Sequence, residues 1–254
     1  MPDVYMCGLA GKKETADGIF EFTVVNEALA EEARAGQFLH VKCGGGRILR
    51  RPISIAGVRD GALSFVFEAV GGGTGWLAAR EEGDILDILG PLGKGFDLPD
   101  GDVLDVGGGV GVPPLLFAAA CAHGGVTAVL GFRNEKKMML IKEFEDECGR
   151  VVVATDNGGY GIHGTVMRPL EALLKDGAYS AVLTCGPMPM MSAVAELCKR
   201  YDIPCQASLE ERMGCGVGAC LVCACLTVRG GVRGMSHVCK DGPVFNAEEV
   251  VFTE

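Results

Sequence analysis

The sequence has little positive charge and few aromatic residues, and it lacks any long apolar run. Lysine and arginine number 23 against 33 aspartates and glutamates, which gives a formal net charge of -10. An acidic surface is unsuited to the phosphates of nucleic acid and to an anionic membrane surface. The longest apolar run, near residues 112–122, is about half of the roughly 20 residues that a membrane-spanning helix needs. Neither nucleic acid nor a membrane is therefore an expected partner.

A secretory signal is also missing from the sequence. The first residues, Met1-Pro2-Asp3-Val4, form neither a basic segment nor an apolar one, so a cytoplasmic location is expected. In that compartment the 12 cysteines are expected to be thiols, metal ligands or redox groups. A secreted scaffold held by disulfides also fits poorly with a chain of 254 residues.

The first part of the chain, to about residue 98, is composed of short β-rich segments between glycine-rich or charged turns. This pattern predicts a β-barrel or sandwich, with one helix at 74–80. The expected strands are 18–26, 37–42, 52–58, 62–70 and 84–89.

From about residue 101, strands alternate with helices, which predicts a parallel sheet covered on both faces. The expected strands are 103–106, 126–132, 151–155 and 181–184, and the expected helices are 113–123, 136–148, 166–175 and 188–201. The last stretch is dense in cysteine and glycine and is expected to form a small third module. The predicted domains are 1–99, 100–207 and 208–254.

Four cysteines near the carboxyl end have the spacing of an iron–sulfur site. Three form C-x4-C-x2-C and one follows later: Cys215, Cys220, Cys223 and Cys239. This is the plant-type spacing for a [2Fe–2S] cluster, in which four thiolates converge on two irons. Glycines at 214, 216 and 218 would let the loop wrap closely and direct amide N–H groups at the sulfurs.

Zinc, or cysteines without any ligand, are the alternative interpretations. Zinc sites usually pair two C-x2-C knuckles, and only one is present here. Cys225, in a strand, would point away from the cluster side and is not an expected ligand. The scattered cysteines are expected to be structural: Cys7, Cys43, Cys121, Cys148, Cys198 and Cys205.

Two short motifs in the β-rich part suit a flavin. In Arg51-Pro52-Ile53-Ser54, the serine could hydrogen-bond the flavin N5 or O4 edge and the arginine could pair with the pyrophosphate. Residues 71–74, GGGT, would offer amides and a positive helix end to a phosphate. Alone, each could be ordinary, an edge strand or a threonine-capped turn. Their order, ahead of an α/β domain, is that of flavin reductases.

A glycine-rich loop follows the first α/β strand. It lacks the G-x-G-x-x-G fingerprint because Val112 stands at the last glycine position, yet it presents amides at a helix N-terminus. The glycines expected at a nicotinamide cofactor are Gly107, Gly108, Gly109 and Gly111. Cys185-Gly186-Pro187 ends another strand at the same sheet edge, where ligands bind. Its small thiol could leave room for a flat ring; a buried cysteine before a helix-starting proline is the alternative.

Together these motifs resemble the ferredoxin–NADP reductase superfamily and, within it, the electron-transfer subunits of class 1B dihydroorotate dehydrogenases. The resemblance covers essentially the whole chain. It rests on R-P-I-S-I at 51–55, G-G-T at 72–74, G-G-G-V-G-V-P-P-L at 107–115, C-G-P-M-P-M-M at 185–191, E-E-R-M-G-C-G-V-G-A-C-L-V-C-A-C at 210–225 and V-C-K-D-G-P-V-F at 238–245.

The resemblance implies FAD, a [2Fe–2S] cluster and NAD(H) as substrate. The residues implied at FAD are Arg51, Pro52, Ile53, Ser54, Val66, Phe67, Glu68, Gly73 and Thr74. Glu68 stands where the family often has a basic residue. Cys185 is the candidate catalytic residue, near the contact between nicotinamide and flavin.

The resemblance also implies a route for electrons. Reduced nicotinamide would give hydride to the flavin, which would pass single electrons to the cluster. The cluster would serve the FMN of a dihydroorotate dehydrogenase catalytic subunit in pyrimidine (UMP) biosynthesis. The expected assembly is a heterotetramer with two of each subunit, docked over an apolar patch near Leu221 and Val222.

Two other functions stay open. A related sulfhydrogenase or NADH-dependent ferredoxin:NADP oxidoreductase subunit shares the architecture, and a non-enzymatic zinc-binding interaction module would explain the cysteines alone. The family points to NADH, although Arg133, Lys136 and Lys137 could meet the 2′-phosphate of NADPH.

Overall fold

The computed structural model describes residues 3–252, so the first two and last two residues of the predicted terminal domains lie outside the described residues. The described chain contains a closed six-stranded barrel, a seven-stranded sheet and a two-stranded hairpin. The predicted fold class is therefore confirmed. Within residues 3–252, none of the helices combines the length and the apolar character needed to cross a membrane.

The barrel closes in the strand order β1-β2-β5-β4-β3-β6, with every neighbouring pair antiparallel. Alternate side chains point inward and fill it, among them Phe22 and Phe65. Its strands are β1 Asp3–Ala16, β2 Ile19–Val25, β3 Phe38–Val41, β4 Arg51–Arg59, β5 Ala62–Glu68 and β6 Ile85–Leu92, and its helices are α1 Glu27–Glu32 and α2 Gly72–Ala78.

The second unit is a sheet of order β10-β9-β8-β7-β11-β12-β15, parallel except for its last strand. Its strands are β7 Val103–Gly108, β8 Val126–Phe132, β9 Arg150–Thr155, β10 Ile162–His163, β11 Ala181–Cys185, β12 Cys205–Ser208 and β15 Val244–Asn246. Its helices are α3 Pro113–Cys121, α4 Ile141–Glu147, α5 Met167–Asp176 and α6 Met188–Arg200.

The helices cover both faces of this sheet. Side chains of α3 and α4 share a core with the barrel, whereas those of α5 and α6 share a second core with the C-terminal segment. Helix α3 is apolar all round because the sheet lies on one side of it and β4 of the barrel on the other. The flavin-type strand is thereby placed directly beside the glycine-rich loop that precedes α3.

The C-terminal segment, residues 210–252, joins both other units. It holds a hairpin of β13 Ala224–Arg229 and β14 Val232–His237, followed by α7 Val238–Asp241. Its last strand, β15, pairs antiparallel with β12, and the amide of Lys94 after β6 donates to the Gly242 carbonyl at 2.6 Å.

Several elements differ from the predictions, among them helix α1 and strands β10 and β12, which were not predicted. Strand β1 was not predicted: its second half carries polar residues on both faces and lacks a period of two, and pairing with β2 and β6 holds it. The predicted helix at 136–148 is shorter, because Leu140 has a φ of 59° and α4 begins only at Ile141. The sheet gains an antiparallel edge strand from the C-terminal segment.

Candidate functional site

The predicted flavin residues line one cavity of about 480 Å³ between the barrel and the C-terminal segment. All nine of them except Arg51 and Gly73 form its wall. The rest of the wall comes from Phe38, Val70, Val110, Pro243 and residues 209–213. A volume of this size is ordinary for a cofactor site. The barrel strands and the start of the C-terminal segment thus face each other across the space that a flavin ring would fill.

Arg51 and Gly73 lie against each other at the start of α2. A Cβ added at Gly73 would collide with the Arg51 guanidinium, and one at Gly72 would lie 3.1 Å from an Nη atom of Arg47. The Thr74 hydroxyl accepts hydrogen bonds from the amides of Val70 and Gly71 at 3.1 and 3.2 Å. Two arginines at a helix N-terminus suit a pyrophosphate. Sequence analysis identified Arg51 but missed Arg47.

Glu68 forms an ion pair that explains why a carboxylate is tolerated at the flavin cavity. Its Oε1 lies 2.7 Å from Nζ of Lys137, which also donates to the Asp17 carbonyl at 2.8 Å. The Asp17 amide donates in turn to the Lys136 carbonyl at 3.1 Å. These contacts, the Lys137 clasp, tie the α/β unit to the barrel beside the cleft.

Two further cavities, of about 410 and 460 Å³, lie at the carboxyl edge of the parallel sheet. The inner one contains Gly108, Gly109, Gly111, Gly186 and Pro187, and shares Glu68, Val110 and Glu210 with the flavin cavity. The outer one contains Arg133 and Asp156. The predicted nicotinamide residues therefore surround space that continues into the flavin cavity, apart from Gly107 and Cys185, which line neither.

The glycines of this region are required by close approach of the backbone. A Cβ on Gly111 would lie 2.5 Å from the Cys185 carbonyl, and one on Gly107 would lie 2.9 Å from Val112. Gly109 differs, because it has a φ of 54° and open space around its Cα. Contact with the start of α3 thus accounts for Gly107, contact with the end of β11 accounts for Gly111, and Gly109 is left open to a ligand.

Cys185, the predicted catalytic candidate, and Glu210 differ in their access to the cavities. The Cys185 thiol is buried behind the cavity wall, where burial raises its pKa and the nearby Ser208 hydroxyl only partly opposes that shift. Glu210, which was not predicted, lines both the flavin and inner nicotinamide cavities. The Glu210 side chain is accessible from the cleft, but protein surrounds it on most sides, and this burial raises its pKa.

The four predicted cluster ligands lie together on the cysteine loop, residues 214–223, and on α7. Sγ of Cys215 accepts hydrogen bonds from the amides of Val217, Ala219 and Cys220 at 3.2–3.4 Å. Burial opposes ionisation of Cys215, but these amide donors outweigh it and lower the thiol pKa to about 6. The Gly218 amide donates to Sγ of Cys239 at 3.1 Å. The loop is thus shaped to stabilise thiolates.

Hydrogen bonds connect two of the predicted ligands directly. The Cys220 amide donates to Sγ of Cys215, and the Cys215 amide donates to Sγ of Cys220, each at 3.3 Å. Cys223 and Cys239 are both buried. Among residues 3–252, no three histidine, cysteine or acidic side chains are already gathered around one point as ligands of a single metal ion. The C-x4-C-x2-C spacing and the amide donors around the sulfurs fit a [2Fe–2S] cluster.

Apolar side chains on the cysteine loop face solvent. Leu221 and Val222 are 57% and 59% exposed, and Val217 is 42% exposed. These side chains are therefore available for contact with another protein and do not pack beneath the loop.

Comparisons with known proteins agree with this geometry. Residues 210–251 match a family model described as the iron–sulfur cluster binding domain of dihydroorotate dehydrogenase B. The chain is 40% identical over 242 residues to the dihydroorotate dehydrogenase B (NAD(+)) electron transfer subunit of Caldanaerobacter subterraneus subsp. tengcongensis, covering 94% of this chain and 95% of that one. It is 40% identical over 254 residues to the protein of that name from Geobacillus kaustophilus, covering 96% of each.

A solved structure also resembles the fold throughout. It is described as the NADH-dependent reduced ferredoxin-NADP oxidoreductase, with a TM-score of 0.87 and 31% identity, covering 98% of this chain and 90% of that one.

Proposed function

Because the chain belongs to the family of dihydroorotate dehydrogenase B (NAD(+)) electron transfer subunits, we propose that it passes electrons between NADH and a dihydroorotate dehydrogenase catalytic subunit through FAD and a [2Fe–2S] cluster. One observation carries this: the flavin cavity shares Glu68, Val110 and Glu210 with the nicotinamide cavity, and its opposite wall belongs to the segment that holds the cysteine loop. A flavin there adjoins both the hydride donor and the electron acceptor.

The position of each group of residues indicates which cofactor it would bind. A bound flavin supplies the ability to take two electrons at once and release them singly. Ser54 and the strands around it orient the ring, and Arg51 with Arg47 hold the pyrophosphate at α2. Residues 108–111 present amides to the nicotinamide dinucleotide. Cys215, Cys220, Cys223 and Cys239 would hold the two irons of the cluster.

Two features favour NADH over NADPH. Lys137, which could have met a 2′-phosphate, is occupied by Glu68 and the Asp17 carbonyl. Asp156 follows β9 in the outer cavity, where its carboxylate would repel a phosphate and suit ribose hydroxyls. Arg133 lines the same cavity and remains available to the dinucleotide phosphates.

The catalytic partner docks on the cysteine loop. Leu221 and Val222 form an exposed apolar patch beside Cys220, and an electron carrier has to bring one edge of its cluster close to its acceptor. The assembly contains two of each subunit and works in the cytoplasm, in the pathway to UMP.

A second candidate function rests on the structural similarity to the ferredoxin-NADP oxidoreductase. Its sequence identity of 31% is below the 40% shared with the dihydroorotate dehydrogenase subunits. The two functions differ in the acceptor, so reduction of ferredoxin by this chain with its native partner would favour the second.

The test is to co-purify the chain with its untagged partner and to assay NADH oxidation with orotate. The complex should turn over, should contain one FAD and one [2Fe–2S] cluster per chain, and should prefer NADH. The chain alone, with dihydroorotate and a dye acceptor, should be inactive. Turnover without a second polypeptide, or zinc in place of iron, would contradict the proposal.

A further inference from the structure

His40 is a buried histidine to which the sequence assigns no role. It lies on β3, its side chain is fully buried, and within residues 3–252 neither ring nitrogen has a hydrogen-bond partner of good geometry. A buried polar group without a partner requires an explanation. The position of the ring supplies one.

The imidazole stands between the flavin cavity and the cysteine loop. On one side, His40 pairs with Pro52 on the neighbouring strand β4, and Pro52 lines the flavin cavity. Phe38, two residues earlier on the same face of β3, lines that cavity too. On the other side, a Cβ on Gly216 would lie 2.7 Å from Nδ1 of His40. Strand β3 and the cysteine loop are therefore in contact through the side chain of His40.

The ring also faces the backbone of a predicted ligand. The Cys215 backbone lies near the ring, although no contact to either ring nitrogen has the geometry of a hydrogen bond. Gly216 has a φ of 74° and no Cβ, and both features let the loop backbone turn directly over the ring. The Arg50 guanidinium is also close, since it donates to the backbone carbonyl of His40 at 3.3 Å.

We propose that His40 is a positioning residue that holds the Cys215–Gly216 backbone at a fixed separation from the strand lining the flavin cavity, and so sets the rate of electron transfer between the two sites. The imidazole itself gains no electron and no proton, and none of its covalent bonds changes. The inference rests on the proposed function, since it requires both cofactors. His40 would affect the cluster through the backbone of the cysteine loop, as residues that contact metal ligands generally do.

The first test detects the contact between His40 and the cysteine loop by spectroscopy. The full chain is labelled with 15N-histidine, its cluster is reduced with dithionite, and pulsed EPR measures the coupling of histidine nitrogens to the electron spin. A weak 15N coupling is expected, lost in His40→Leu and kept in His237→Asn, a control that alters the half-buried histidine beside α7. No histidine coupling in a chain that carries a reduced cluster would overturn the inference.

The second test separates the two steps by stopped flow. In His40→Leu and His40→Asn, NADH should bleach the flavin at the wild-type rate, whereas the following cluster reduction should slow by about 10- to 100-fold. His163→Asn, at an exposed position on β10, should alter neither. Wild-type cluster reduction in both His40 variants, with iron content unchanged, would defeat the inference alone. If the wild-type chain contained no iron, both the inference and the proposed function would be contradicted.

Discussion

At the residue scale, the absence of a side chain matters as much as its presence. Gly73 and Gly75 both lie in α2, yet only Gly73 has the Arg51 guanidinium against its Cα, whereas the position at Gly75 is open. In Gly73→Ala we expect displacement of Arg51 at a cost of about 1–3 kcal/mol, or roughly 5- to 150-fold weaker FAD binding. Fluorescence titration of the apoprotein with FAD measures this. Gly75→Ala is the matched control and should bind FAD normally; equal weakening in both variants would contradict the role of Arg51.

Asp105 is a residue whose effect depends on pH. It lies fully buried in the centre of β7, beside Ala128 and Leu183, without a hydrogen-bond partner among residues 3–252. Burial raises its pKa well above the usual value. The folded state therefore keeps a proton that the unfolded state releases above about pH 4, and stability falls as pH rises by up to about 1.4 kcal/mol per pH unit until the folded pKa is reached.

Asp105→Val should remove this dependence. We expect a higher melting temperature for the variant, with a difference from wild type that is larger at pH 8 than at pH 5.5. Calorimetry of the apoprotein at both pH values provides the check. A difference that is the same at both values would show that Asp105 is ionised, or compensated, in the folded chain.

At the scale of elements, the cysteine loop is a local unit whose ligands lie outside both nucleotide cavities. In Cys220→Ser we expect loss of the cluster with flavin reduction by NADH retained, because Cys220 lines none of the flavin and nicotinamide cavities. Iron analysis and flavin bleaching at 450 nm provide the two readouts. Cys225→Ser, two residues past the last loop ligand, should keep its iron. Loss of NADH-driven bleaching in Cys220→Ser with FAD still bound would contradict this separation.

Elements defined by local pattern were predicted from the sequence, and elements defined by distant partners were not. Strands β8 and β11 follow their apolar runs closely, and the four cysteines that the spacing predicts as ligands lie on one loop and on α7. Strand β15 forms because it pairs with the open edge of β12, and its three residues have no sequence pattern that would predict a strand. The same applies at the site: His40, Arg47 and Glu210 gain their positions from segments far away in the sequence, and no motif includes their partners.

At the scale of the whole molecule, the exposed apolar residues of the cysteine loop predict where the partner binds. Leu221→Asp should weaken binding of the catalytic subunit by at least about tenfold, since a charge placed in the centre of an apolar contact must be desolvated. Surface plasmon resonance with the purified partner measures the change. Val25→Asp, on a barrel residue that is 49% exposed, is the control. Unchanged affinity in Leu221→Asp would move the interface elsewhere while leaving the electron-transfer role intact.

The C-terminal segment is bonded to both other units, and this limits how the protein could have been assembled in evolution. Strand β15 completes the parallel sheet, Gly242 accepts a hydrogen bond from the barrel side, and the barrel's His40 supports the cysteine loop from below. A chain that ended before residue 210 would leave β12 with an open edge, and residues 210–252 alone would lack both β12 and the barrel surface beneath the cysteine loop. Recombination that moved this segment into another reductase would therefore also require an edge strand like β12 and a barrel surface that fits the loop.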